Sequence, residues 1–214
     1  MWRLAIPTMT MARKKRLTRE ESRAETRARL MAVGRKHFLR YGLRGAVAER
    51  IADDAGYSRG AFYSNFDGME DLFLAVVLEE EERRFRSFRA ISSGPNSAAS
   101  RLQELRENSM NLLTDRDWIV LRAEFEAAAL VSERMRRSFA QLYRRELAQA
   151  TQTVEELANA PGVKINMPPK DLVLAILSFA HGLAVKQRIL GADLPPEPTR
   201  ALIGSFLDLL ITAE

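Results

Sequence analysis

The sequence predicts an all-α protein of about nine helices, a small N-terminal three-helix unit linked to a larger helical body. Three observations carry that expectation. Apolar residues recur at helical spacing between glycine, proline and serine breaks. No stretch alternates convincingly in the two-residue period of a strand, and no cysteine is present to staple a loop-rich fold. The 214 residues, 46% of them hydrophobic, suffice for one large packed unit or two small ones.

Residues 1–20 show no period and read as a flexible basic arm. A helix is expected over 21–41, with Leu30, Val33, Gly34, His37, Phe38 and Tyr41 on one face and Arg27, Arg35, Lys36 and Arg40 opposite. His37 lies on the apolar stripe, the place for a hydrogen-bonded core histidine. Gly42 follows as a left-handed helix stop. A short helix over 47–55 buries Ala48, Ile51, Ala52 and Ala55, and Gly56 breaks it. Ser58 is the N-cap of a third helix running to Asn65, with Phe62 and Phe66 turned inward. Asp67 and Gly68 precede a long helix over 69–89, with Glu70 and Asp71 in its favourable first turn. Its charged run, 79–84, reads as a solvated face.

Ser92, Ser93, Gly94, Pro95 and Asn96 mark a loop, and the chain divides into the arm 1–20, a unit at 21–84 and a body at 85–214. The body reads as helices over 97–114 (Leu102, Leu105, Leu112, Leu113), 117–130, 132–159, 169–190 and 197–213, separated by Pro161-Gly162, Pro168 and Gly191 to Pro196.

Charge is placed unevenly. Residues 1–50 hold fourteen basic and four acidic side chains, a surplus of ten, so the remainder of this +5 chain is net acidic. A basic end on an acidic body points to nucleic acid, with a solvated basic tail as the alternative. The 47–66 segment reads as helix, glycine-containing turn, helix. In a helix-turn-helix the start of the second helix meets base edges in the major groove, here Ser58, Arg59, Gly60 and Ala61. Arg59 can bond a guanine bidentately, Gly60 admits close backbone approach, and the Ala61 methyl can pack on a thymine methyl. Tyr63, Ser64 and Asn65 suit phosphates, flanked by Arg44 and Arg50.

These residues resemble a known family. From Thr26 to about Val77 the chain is similar to the DNA-binding domain of the tetracycline-repressor (TetR) family. The likeness rests on Leu30-Met31, Phe38, Gly42, Ile51-Ala52, Ala55-Gly56, Ser58-Arg59-Gly60, Phe62-Tyr63, Phe66 and Glu70-Asp71-Leu72. It implies three helices for docking, a fourth linking to the body, phosphate contacts around Tyr63 and base contacts from Arg59, Gly60 and Ala61. It also implies a homodimeric repressor on a palindromic operator in double-stranded DNA, released by a small effector. Three departures stand out: Ala46-Val47 where the family commonly has threonines, Met69 where it often has a phosphate-binding lysine, and Gly34 where it often has alanine. The arm residues Arg13, Lys14, Lys15 and Arg16 would offset the weakened phosphate grip from the minor groove.

In the body, the 172–185 stretch is apolar almost all round and so is expected to be buried all round, partly by a second copy, with the central helix of a monomeric bundle as the alternative. Leu172, Ile176, Phe179 and Leu183, with Leu202, Phe206 and Leu210 of the last helix, are the expected dimer face. Met110, Trp118, Leu121, Phe125, Phe139, Tyr143 and Phe179 could line a cavity for an apolar effector, although each alone also reads as core. Glu124, Arg122 and His181 are candidates to orient a ligand. Glu124, if part-buried, would need a partner such as an arginine.

Other classes fare worse. Without cysteine, a phosphate loop, a Ser-His-Asp set or metal-spaced ligands, no catalytic, metal or cofactor site is expected. No apolar run reaches the ~18 residues of a span, and residues 1–7 are too short and weakly apolar for a signal peptide. A cytoplasmic protein with no membrane partner is expected. A DNA-binding regulator without a small ligand remains open.

Overall fold

The computed structural model describes residues 18–92, 115–159 and 163–213, with positions 97, 100, 103, 104 and 107. Most of the expected 1–20 arm, most of the 97–114 helix including its four leucines, and Pro161-Gly162 lie outside the described residues.

Helix α1 (Arg19–Gly45) begins two residues before expectation because Thr18 builds a capping box. Its hydroxyl accepts from the Glu21 N–H at 3.1 Å, and the Glu21 carboxylate accepts from the Thr18 N–H at 2.7 Å. Gly42 interrupts α1 at φ 69°, ψ 175°, a region open in practice only to glycine, and one further turn follows. Helix α2 (Ala48–Ala55) ends at Gly56 in the left-handed conformation, φ 80°. Its alanines Ala48, Ala52 and Ala55 are buried and small, so α2 lies close against α1. Helix α3 (Arg59–Tyr63) is a short piece that ends before Ser64, and α4 (Met69–Ser92) is long.

The body holds α5 (Arg116–Ala129), capped by Asp115, and α6 (Glu133–Ala158), capped by Ser132. Helices α7 (Pro169–Leu190) and α8 (Pro196–Leu210) both start on proline, whose missing N–H costs nothing there. One expectation fails. The last helix stops at Leu210, and β2 (Ile211–Ala213) pairs antiparallel with β1 (Val163–Ile165), Ile165 opposite Ile211. Val163, Ile165, Ile211 and Thr212 are β-branched, which favours extended backbone, and Asn166 holds the end of α8, its backbone N–H donating to Leu210 O and its side-chain amide to Leu209 O, each at 3.2 Å.

One hydrophobic core runs through both units. Leu30 and Phe38 of α1, Ile51 of α2, Phe62 of α3, Leu72 and Phe73 of α4, Leu121 and Phe125 of α5 and Met135 of α6 are all fully buried in it. Gly34 explains itself here: a Cβ at that position would stand 2.8 Å from the buried Leu72, so its absence lets α1 and α4 close up.

Two glycines give a graded stability test. Gly56→Ala meets no neighbouring atom and should cost only the left-handed backbone penalty, about 1–2 kcal/mol. Gly42→Ala should cost clearly more, because its Cβ would also stand 2.9 Å from the Glu124 carboxylate. Urea unfolding of both variants measures the difference.

Candidate nucleic-acid interface

Helices α2 and α3 with the turn between them form the expected helix-turn-helix. Ser58 caps α3, its hydroxyl accepting from the Ala61 N–H at 3.2 Å. Phe62 and Phe66 anchor α3 from below, with their rings 5.9 Å apart. The opposite edge is free: Ser58, Arg59, Gly60, Tyr63 and Ser64 are exposed, and Ala61 is half-buried. Arg59 is not idle. Its Nε lies 3.1 Å from Glu49 Oε1, and its guanidinium sits 5.5 Å from the Tyr63 ring. An ion pair this exposed is worth little and can be exchanged for DNA. Arg44 and Arg50 are exposed as well. Arg13, Lys14, Lys15 and Arg16 lie outside the described residues.

Asn65 departs from expectation. Its amide donates to Ala61 O at 2.8 Å and to Ser64 Oγ at 3.3 Å, so it closes the α3 turn instead of presenting a donor outward. Ser64 likewise donates to Ala61 O at 2.8 Å. Two arginines were overlooked. Arg23 donates to Ser64 O at 3.2 Å and Arg27 to Asn65 O at 2.6 Å, with the Arg27 guanidinium 4.2 Å over Phe66. They clamp the carbonyl end of α3, where positive charge is favoured. Their spacing of four residues on α1 was the available signal. Val47, as the missing threonine implied, gives α2 no side-chain cap. His37 is a core histidine as expected, with Nε2 2.7 Å from Asp54 Oδ2.

The expected ligand residues separate. Leu121 and Phe125 are fully buried core, Phe179 stacks on Phe206 at 4.3 Å, and Met110 lies outside the described residues. Trp118, Phe139 and Tyr143 surround a cation that the chain itself supplies: the Arg122 guanidinium lies 6.0, 5.0 and 5.6 Å from their rings. Arg122 Nη1 reaches Glu81 at 3.0 Å and Glu146 at 3.1 Å, and its Nε reaches Glu126 at 3.3 Å. Glu126 in turn meets His181 at 3.0 Å. The network therefore joins α4, α5, α6 and α7.

This corrects the reading of 79–84 as a solvated face. Glu80 pairs with Arg35 of α1 at 2.7 Å, Glu81 is 6% exposed, and Arg84 is held by Asp115 and Trp118. The Glu124 expectation is corrected as well. Its partner is not an arginine but the Leu43 backbone N–H, at 3.1 Å, just past the Gly42 kink.

On the expected dimer face, Leu202 is exposed and Ile176, Phe179, Leu183, Phe206 and Leu210 are half-buried. Leu172 does not belong there, being fully buried within the protomer. Leu174 and Leu209 are additional exposed apolar residues on these helices. Helix α7 with its following turn has a mean hydropathy of 1.4, enough by length and composition to cross a membrane, yet only 22% of its most apolar stretch is buried in one protomer.

Residues 30–76 match a family model described as bacterial regulatory proteins, tetR family, and residues 98–212 match one described as BetI-type transcriptional repressor, C-terminal. Over 57 residues the chain is 35% identical to the HTH-type transcriptional repressor AcnR of Corynebacterium diphtheriae, a match covering 27% of this chain and 30% of that protein. The AcnR of Corynebacterium glutamicum is 34% identical over 58 residues, 27% of this chain and 31% of its own length. The chain thus spans under a third of the curated relatives it matches. Among solved structures, a transcriptional regulator from Saccharomonospora viridis in complex with choline aligns at TM-score 0.78 and 17% identity, over 89% of this chain and 100% of that one. A TetR transcription regulator from Haloarcula marismortui aligns at 0.76 and 17%, over 88% and 100%. At such identities the likeness is one of fold.

The Arg122 network predicts a pH effect. Burial, joined by repulsion from Glu146 and opposed by Arg122 and Arg84, pushes the Glu81 carboxyl up to about 7. Folding therefore takes up a proton between the ordinary carboxylate range and pH 7, and Glu81 subtracts stability as pH rises through that window. Glu80, Glu126 and Asp115 are held below their ordinary values, so their contributions are lost only at more acid pH. Glu81→Gln should flatten the fall in urea midpoint between pH 5 and pH 8 while leaving the acid limb unchanged.

Proposed function

The chain belongs to the TetR family of bacterial regulatory proteins, transcription regulators rather than enzymes, and from that premise we propose that it is a homodimeric repressor binding a palindromic operator. One observation carries the reading: an exposed Ser58-Arg59-Gly60 edge stands on the buried Phe62 and Phe66, in a chain whose basic surplus is concentrated in its first fifty residues. Arg59 leaves Glu49 for a guanine, Ala61 meets a thymine methyl, and Tyr63, Ser64, Arg44 and Arg50 hold phosphates. The uncapped start of α2 offers backbone N–H groups to another phosphate. Arg13 to Arg16 reach the minor groove. The reading unit is 21–84, and the body 85–214 pairs two copies and senses an effector.

The second copy covers the faces of α7 and α8 that one protomer leaves open, around Ile176, Phe179, Leu183, Leu202, Phe206 and Leu210. A cytoplasmic dimer accounts for the apolar α7 without a membrane. For the effector, the choline held by the S. viridis relative points to organic cations as one class to test. Against a site at Trp118, Phe139 and Tyr143 stands Arg122, which already fills it. The closed core at Leu121 and Phe125 favours the second reading, a regulator that needs no small ligand.

Selection from random duplexes should enrich a palindrome with half-sites one helical turn, or a multiple of one, apart. Arg59→Ala should lose about 1–3 kcal/mol of discrimination at one base pair. Salt-sensitive binding without an enriched sequence would contradict the reading. Leu202→Glu should give a monomer in sedimentation equilibrium and lose the palindrome's cooperative binding.

A further inference from the structure

Glu124, whose carboxylate reaches Leu43 of α1, also lines a cleft of about 240 Å³ between α5 and α7, formed with Ile119, Val120 and Ala123 on one side and Val185, Arg188 and Ile189 on the other. Its volume is below the ~300–1,000 Å³ of sites for drug-sized ligands, which limits an occupant to a handful of heavy atoms. The walls are mostly aliphatic. The two charges are of opposite sign, one from each helix. Glu124 accepts only the Leu43 N–H, and neither Glu124 nor Arg188 has an ion-pair partner among the described residues. A half-buried carboxylate with spare acceptor capacity calls for a cationic donor. Arg188, exposed on the α7 side of the cleft, disfavours a simple cation and favours a ligand that carries an anion as well.

We infer that this cleft binds a small aliphatic zwitterion of amino-acid size, its ammonium on Glu124, its carboxylate on Arg188 and its alkyl part against Val120 and Val185. The site rests on the effector reading above and gives that reading a location. It is distinct from the aromatic set around Arg122. Its position also supplies the route to DNA. The same Glu124 carboxylate holds the Leu43 N–H beside the Gly42 kink, three residues before the buried Ala46 and five before α2 begins. An ammonium that draws on Glu124 changes the hold on that turn, and so the seating of α2 and α3. It regulates binding only as far as it favours one seating over the other.

The test uses the full-length protein and two probes, L-leucine with adjacent charges and 6-aminohexanoate with separated ones, followed by calorimetry. One site per protomer is expected for at least one probe, and none for isopentylamine or 4-methylpentanoate, which each carry one charge. Glu124→Gln keeps an acceptor for Leu43 and so the fold, yet should weaken binding about tenfold or more, the size of losing a charged hydrogen bond. Arg188→Gln should do the same, and Val185→Trp should abolish binding by filling the cleft, with melting curves confirming that all three fold. Failure of both probes to bind, or unchanged binding in Glu124→Gln and Arg188→Gln, overturns the site. Binding that leaves affinity for a selected operator unchanged overturns the coupling. Failure to select any operator overturns the DNA reading and leaves the calorimetric result standing.

Discussion

Five aromatic rings tie the reading helices to the body. Phe38 of α1 meets Phe73 of α4 edge-on at 5.0 Å. Phe73 meets Phe125 of α5 at 6.1 Å, Phe125 meets Phe139 of α6 at 5.1 Å, and Phe139 stacks on Tyr143 at 5.9 Å. Interiors this closely packed do not yield smoothly; they shift as blocks. Helix α1 is therefore packed as one block with α4 and α5, and the turn at Gly42, held by Glu124 through Leu43, is where the seating of α2 and α3 on that block is set. Where α3 points is decided by how the body sits.

Charge fixes what packing leaves loose. Arg35 of α1 reaches Glu80 of α4 at 2.7 Å and Asp117 of α5 at 2.9 Å, and Glu124 holds the far end of α1 through Leu43. Helix α5 is thus fastened to α1 near both of its ends. Behind it, Arg122 gathers Glu81, Glu126 and Glu146 from three helices. Buried ion pairs of this kind add little net stability, because desolvation offsets the attraction, but removing one partner is costly. They specify one arrangement of α4, α5, α6 and α7.

Much of this was legible in the sequence, and the failures share a cause. The helices, the Gly56 turn, the Ser58 cap and the inward Phe62 and Phe66 all follow from local rules about spacing, capping and glycine. The core role of His37 followed from its place on the apolar stripe. The misread residues are those whose partners are far away in sequence. Glu81 and Arg84 look solvated in a charged run until Arg122 and Asp115 are brought beside them. Glu124 seeks an arginine on paper and finds a backbone N–H 81 residues away. Asn65 serves its own turn. Leu172 turned inward because an all-apolar helix does not reveal which side its own protomer covers. The β1–β2 pair was missed for the same reason, three residues each being too few to show a period.

The central claim is that a paired body sets the separation of two recognition helices. The chain has no cysteine, so a single Asp53→Cys variant places one spin label per protomer on the exposed side of α2, and pulsed dipolar spectroscopy reads the distance between copies. The account predicts a defined distance in the free protein that settles, on operator DNA, at a value consistent with α3 helices ~34–36 Å apart. Absence of any dipolar coupling, or a broad distribution that DNA does not narrow, would contradict it.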